Sequence, residues 1–205
     1  SSPTTAATRC WPIWARSGNR AGRWSPTTAA HVAEEFADVA DLPILDGGPC
    51  DVGLESTVLD LSRARPMILR PGAITVADLE PVIGPVSAPL IGSQSSSPGT
   101  SASHYAPATP CVRVAAADLA ARLSAEPNPV LVVAPVGTKV DAPHELLPMP
   151  RHAAAYAQLL YATLRKADAH GAALIAIVPP EETGGLWDAA HDRIRRATAR
   201  RPSAG

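Results

Sequence analysis

From residue 111 onward, short apolar runs alternate with longer amphipathic stretches, and this alternation restricts the chain to a narrow set of folds. Residues 111–114, 130–134, 146–149 and 173–178 have the length and the aliphatic, β-branched content of strands. Between them lie helical patterns. The first, 117–123, is short. The second, 153–170, sets Tyr156, Leu159, Leu160 and Leu164 on one face and stops at Gly171. A third pattern, 185–199, closes the series. Strands that alternate with helices build an open, mostly parallel α/β sheet.

Residues 87–110 interrupt the pattern. They include Ser-Gln-Ser-Ser-Ser-Pro-Gly-Thr-Ser and almost no bulky apolar side chain, which is linker composition. A domain boundary is expected there. Ahead of it, Ser25 suits a helix cap and Pro26 a first helical position, followed by an apolar stripe of Ala29, Val32, Ala33 and Phe36. Pro43 ends that helix, and 44–46, 56–61 and 67–69 read as strands. Thr75 and Asp78 form a capping-box pattern for a short helix that Pro81 should curtail or kink. Ser-Pro-Thr-Thr-Ala-Ala occurs at 2–7 and again at 25–30, which is no solenoid period.

Composition excludes several classes. With 18 basic and 19 acidic side chains, no global positive field exists to hold nucleic acid non-specifically. The one basic run is Arg193, Arg195, Arg196, Arg200 and Arg201, which reads as a solvated helix face and tail or as an RNA contact. Cys10, Cys50 and Cys111 have neither disulfide-framework nor zinc-site spacing, so reduced thiols in a cytoplasmic protein are expected. His31, His144, His152, His170 and His191 lack metal-ligand spacing, and no apolar run is long enough to span a membrane.

The motifs are weak singly. Gly48 and Gly53 have P-loop spacing, but Leu54-Glu55 stands where Lys-Ser/Thr is required, so the phosphate cradle is incomplete. No G-x-G-x-x-G follows the first strand of the second half, which leaves a dinucleotide role unsupported. Glu55-Ser56-Thr57-Val58 puts two hydroxyls at a strand start, either an ordinary edge or a binding site. Arg70, before the Pro71-Gly72 turn, is either a surface residue or a forked phosphate donor. His104-Tyr105 ends the linker as a docking anchor, a lid, or both. Ser17-Gly18-Asn19, ahead of a helix start, is able to offer backbone N–H groups to an anion.

Taken in order, these motifs resemble one family. The segment from Ser17-Gly18-Asn19 to Ser25-Pro26-Thr27 resembles the first signature of the YrdC-like fold. Asp46-Gly47-Gly48-Pro49 with Gly53-Leu54-Glu55-Ser56-Thr57-Val58 resembles the second, and Leu69-Arg70-Pro71-Gly72-Ala73-Ile74 the third. Ser97-Pro98-Gly99 and His104-Tyr105-Ala106-Pro107 resemble the linker of the long, two-domain threonylcarbamoyl-AMP synthases. Residues 160–168 and 185–197 resemble their C-terminal domain.

The resemblance implies an α/β chain in three parts. These are the C-terminal part of a YrdC-like catalytic domain (1–86), a linker or lid (87–110) and a small Rossmann-like open parallel-sheet domain (111–205). It implies that threonine and bicarbonate give an N-carboxylate whose oxygen attacks the α-phosphorus of ATP, expelling pyrophosphate. The product would pass to a partner transferase that modifies an adenosine of certain tRNAs. Mg²⁺ is expected on the triphosphate, with no metal bound by the protein itself.

By the same resemblance, Ser56 contacts threonine and Arg70 the nucleotide, and these two are the expected catalytic residues. Ser17, Asn19 and Ser25 form the loop around ATP. His104 and Tyr105 form the lid, with Tyr105 also at the ATP site. Several positions depart from the family pattern. Gly18 replaces an alanine, Arg16 a proline, and Trp14 and Trp24 smaller residues. No K-x-R motif precedes Ser17, so an N-terminally truncated chain with an open apolar face is expected. The alternative is a non-catalytic nucleotide- or tRNA-binding remnant of the family.

Overall fold

The computed structural model describes residues 24–87 and 107–199. In the first stretch, helix α1 (Ala29–Glu35) is capped by Thr28, whose hydroxyl accepts from the His31 N–H at 3.3 Å. The sequence places this cap at Ser25. The helix starts later because the Ser25 hydroxyl turns inward and donates to the Glu55 carboxylate at 2.6 Å. The expected strand at 44–46 does not form: its residues have no ladder partner among those described, and Leu45 is 87% exposed. An extended segment without a partner leaves its backbone groups to water.

Strands β1 (Val58–Asp60) and β2 (Met67–Arg70) pair antiparallel. Helix α2 (Val76–Ile83) follows, with the Thr75 N–H and hydroxyl both donating to Asp78, at 2.8 and 2.7 Å. It ends at Ile83, two residues after Pro81, and is capped by Gly84 with φ +76°. This stretch buries only Trp24, Ile68 and Val86 among its large apolar side chains, whereas Leu45, Leu61, Ile74 and Val82 are exposed.

The second stretch is a three-layer sandwich. Strands β3 (Cys111–Arg113), β4 (Val130–Pro135), β5 (Glu145–Met149) and β6 (Leu174–Ile177) form one sheet in the order β3-β6-β4-β5. Every neighbouring pair is parallel. The connections carry a short 3₁₀ turn with helix α3 (Leu119–Ser124), then helix α4 (Ala153–Ala169), and helix α5 (Leu186–Ala197) follows β6. Successive side chains of a strand face opposite ways. Leu131, Val133, Ile175 and Ile177 accordingly meet α4 and α5, while Val130, Val132, Ala134 and Ala176 meet α3. Burial on both faces is why these strands read as unbroken apolar runs rather than alternating ones. Pro148 sits in β5, an edge strand, where a missing N–H is tolerated. The backbone entering β3 is tied to α4 by N–H groups of Ala108 and Thr109 on the Asp168 carboxylate, at 3.0 and 2.8 Å.

Two expectations fail here for physical reasons. Leu159 lies outside the buried stripe of α4 and is 45% exposed, because the stripe runs through Tyr156, Ala157, Leu160, Tyr161, Leu164 and Ala167. The solvated-face reading of the basic run fails at Arg193 and Arg196, while the Arg195 side chain stays 39% exposed. Arg193 is 0% exposed and Arg196 is buried, since both lie beside Ala189, Ala190, Ile194 and Ala197 on the inner face of α5. Arg200 and Arg201 lie outside the described residues.

Candidate active site

Two short segments of the first stretch lie against each other. One is Glu55-Ser56-Thr57, leading into β1; the other is Arg70-Pro71-Gly72, leaving β2. The buried Arg70 guanidinium donates to the Ser56 carbonyl through Nε and Nη2, at 3.2 and 2.9 Å. Gly72 makes the approach possible: a Cβ there would stand 2.3 Å from the Thr57 nitrogen. Thr57 closes the far side by donating its hydroxyl to the Ile74 carbonyl at 2.6 Å. The Ser56 side chain is exposed between these contacts. Of the two readings of Arg70, the surface one is excluded. Its fork joins the two segments and brings the predicted residues Ser56 and Arg70 together.

Behind Ser56 lies a residue the sequence did not mark. Glu55 is buried, and its carboxylate accepts from the Ser25 hydroxyl at 2.6 Å and from Tyr161 Oη at 3.0 and 2.8 Å. Arg193 Nε donates to it at 2.9 Å. Burial alone would raise its pKa. The Arg193 charge and the hydrogen bonds from Ser25, Tyr161 and its own backbone outweigh that and hold it at about 2. The same Arg193 donates through Nη1 to the Pro71 carbonyl at 2.9 Å and through Nη2 to the Glu55 carbonyl at 3.4 Å. The signal for Arg193 was its position on the apolar stripe of α5, three residues after Ala190 and four before Ala197.

Ser25 thus sits next to the site, but its described partner is Glu55. Ser17, Asn19, His104 and Tyr105 lie outside the described residues, as does most of the expected linker. The two stretches are joined further by Trp24, which packs in the core beside α4, and by Gln158 Nε2 on the Cys50 carbonyl at 3.3 Å. Gly53, with φ +72°, lies so close to α4 that a Cβ would stand 2.4 Å from the Gln158 carbonyl oxygen. At the carboxyl ends of the parallel strands a hollow of about 180 Å³ is lined by Pro135, Thr138, Arg151, Glu181, Glu182 and Trp187. Among the described residues no group of three or more His, Cys, Asp or Glu converges as a metal site. No described helix is long and apolar enough to cross a membrane.

Comparison with known proteins gives the family. Residues 74–199 match the family described as "Threonylcarbamoyl-AMP synthase, C-terminal domain", and residues 5–72 match one described as "Telomere recombination". A threonylcarbamoyl-AMP synthase of Pyrococcus abyssi is 33% identical over 93% of this chain and 58% of its own length. One from Bacillus subtilis is 45% identical over 48% of this chain and 30% of its own length. The crystal structure of P. abyssi Sua5 complexed with L-threonine superposes with a TM-score of 0.75 at 32% identity, covering 88% of this chain and 56% of that one. The chain therefore spans little more than half the length of that archaeal relative. It belongs to the threonylcarbamoyl-AMP synthase family.

Proposed function

We propose that the protein is an L-threonylcarbamoyladenylate synthase, a nucleotidyltransferase that forms threonylcarbamoyl-AMP and pyrophosphate from L-threonine, bicarbonate and ATP. The observation that carries this reading is the exposed Ser56 hydroxyl held beside Arg70, in a chain one third identical to a relative of that name. A relative has been crystallised with L-threonine, and in this reading the exposed Ser56 hydroxyl contacts that substrate. Threonine would carry its carbamate oxygen toward the α-phosphorus of ATP. Such a displacement needs alignment and charge neutralisation rather than a covalent nucleophile.

The described donors around Ser56 and Arg70 are hydroxyls and a guanidinium, not grouped carboxylates. In this reading Mg²⁺ would arrive bound to the triphosphate, where it would neutralise developing charge. Ser17, Asn19, Ser25 and Tyr105 complete the ATP site in this reading, with His104 and Tyr105 as the lid. The product goes to a partner transferase acting on tRNA, in the cytoplasm.

The test is pyrophosphate release from ATP by the purified protein, with and without threonine and bicarbonate. Release that depends on both and is lost in Arg70→Ala supports the synthase. Threonine or ATP binding without release favours the non-catalytic alternative.

A further inference from the structure

The two site segments are held from outside their own domain. Arg193, on α5 of the four-stranded-sheet domain, reaches Glu55 with Nε, the Glu55 carbonyl with Nη2 and the Pro71 carbonyl with Nη1. These acceptors lie next to Ser56 and Arg70. We propose that Arg193 is a positioning residue. By bonding Glu55 and Pro71 at once, it would fix the separation between the threonine-contacting and nucleotide-contacting residues, so that the second domain sets the geometry of the first domain's site.

Three observations support this. The guanidinium is 0% exposed, so no solvent competes for its donors. Its orientation is set from behind, where Asp192 accepts from Nη1 at 3.0 Å. Glu55 is itself fixed by Ser25 and by Tyr161 of α4, so two helices of the second domain converge on the residue preceding Ser56. A planar fork with fixed donor directions serves several acceptors at once, which a lysine ammonium on a flexible stem does not reproduce.

The inference rests on the synthase reading, and the experiment separates the two. Threonine-dependent pyrophosphate release is measured for the unsubstituted protein, Arg193→Lys and Tyr161→Phe, with melting curves for each. Threonine and ATP affinities are measured separately by calorimetry. Misplacing reacting groups by about 1 Å costs on the order of 100-fold in rate, so a partly preserved clamp in Arg193→Lys is expected to lower kcat about tenfold or more. Each substrate's affinity should change by less than about threefold, because each segment survives and only their mutual placement is lost. Tyr161→Phe removes one hydroxyl from Glu55 and should lower kcat about threefold.

A merely structural role would lower the melting temperature and leave kcat of the folded protein within about twofold, and that result overturns the inference. Should Arg193→Lys fail to fold, Tyr161→Phe decides: an unchanged kcat overturns the proposal, a reduced one supports it. No release by the unsubstituted protein overturns the synthase reading itself, and the positioning role with it.

Discussion

Replacing Glu55 by Gln keeps the shape of the side chain and removes its charge. What remains is a fully buried Arg193 with Asp192 as its nearest carboxylate, at 3.0 Å. Breaking a buried pair by removing one partner costs about 3–5 kcal/mol. The surviving Asp192 contact places this case near the lower end. The acid range gives a second route to the number. A pKa held at about 2 against an ordinary 4.5 corresponds to roughly 3 kcal/mol of folding stability. The sign follows from the direction of the shift. A carboxylate whose folded pKa is lowered contributes fully above its unfolded value and loses that contribution as pH falls toward the folded one. The variant should therefore melt about 6–12 °C below the parent at pH 7. The gap should narrow from pH 4.5 downward and close near pH 2. Thermal unfolding followed by circular dichroism measures the difference. A deficit under about 1 kcal/mol at pH 7, or one that does not change between pH 4.5 and 2, would refute the assignment of Glu55 as the buried charged partner of Arg193.

Adjacent leucines on α4 test which face is buried. Leu160→Ala, at 0% exposure, should cost about 2–5 kcal/mol in urea unfolding, while Leu159→Ala should stay within about 0.5 kcal/mol. Equal losses would mean that the helix face is misassigned. Gly53→Ala drives a Cβ to 2.4 Å from the Gln158 backbone at a positive φ, so destabilisation of about 2–4 kcal/mol is expected, and a melting temperature equal to the parent's would contradict the close approach. Thr28→Ala removes the cap of α1 and should cost about 1 kcal/mol, against no loss if Ser25 were the cap.

Local pattern carried the parallel sheet because its two central strands, β4 and β6, bury both faces. A run such as Leu131, Val132, Val133 and Ala134 has few other uses in a chain without membrane-length segments. The capping box at Thr75 and Asp78 was equally legible, since three residues contain all of its chemistry. Long-range chemistry was not. Ser25 looked like a cap by every local rule, and only Glu55, 30 residues away, takes its hydroxyl elsewhere. The triplet 44–46 has strand composition, but a strand exists only with a partner, and no local pattern supplies one. At the site, motif order brought out Ser56 and Arg70. Glu55, just before Ser56, stayed hidden, because one acidic residue in a strand-like segment looks solvated until its partner, 138 residues on, is known.

The basic run on α5 shows how charge can mislead when read without depth. Arg193, Arg195 and Arg196 converge on Asp192: Arg193 Nη1 donates at 3.0 Å, Arg196 at 2.7 and 3.2 Å, and Arg195 adds a further bond. One carboxylate thereby offsets the repulsion among three guanidinium groups within a single turn. Two of them, Arg195 and Arg196, also lie in the last turn of the helix, where positive charge is favoured. With Asp192 occupied in this way, Arg193 still has Nε and Nη2 directed at Glu55. Counted along the sequence, the run is a cationic patch. Counted with its partners, it is a partly dry network in which the remaining donors of Arg193 end on the two segments that carry Ser56 and Arg70. Buried pairs of this kind are screened far less by salt than a surface patch would be, so the bonds from Arg193 to the site segments should persist at high ionic strength.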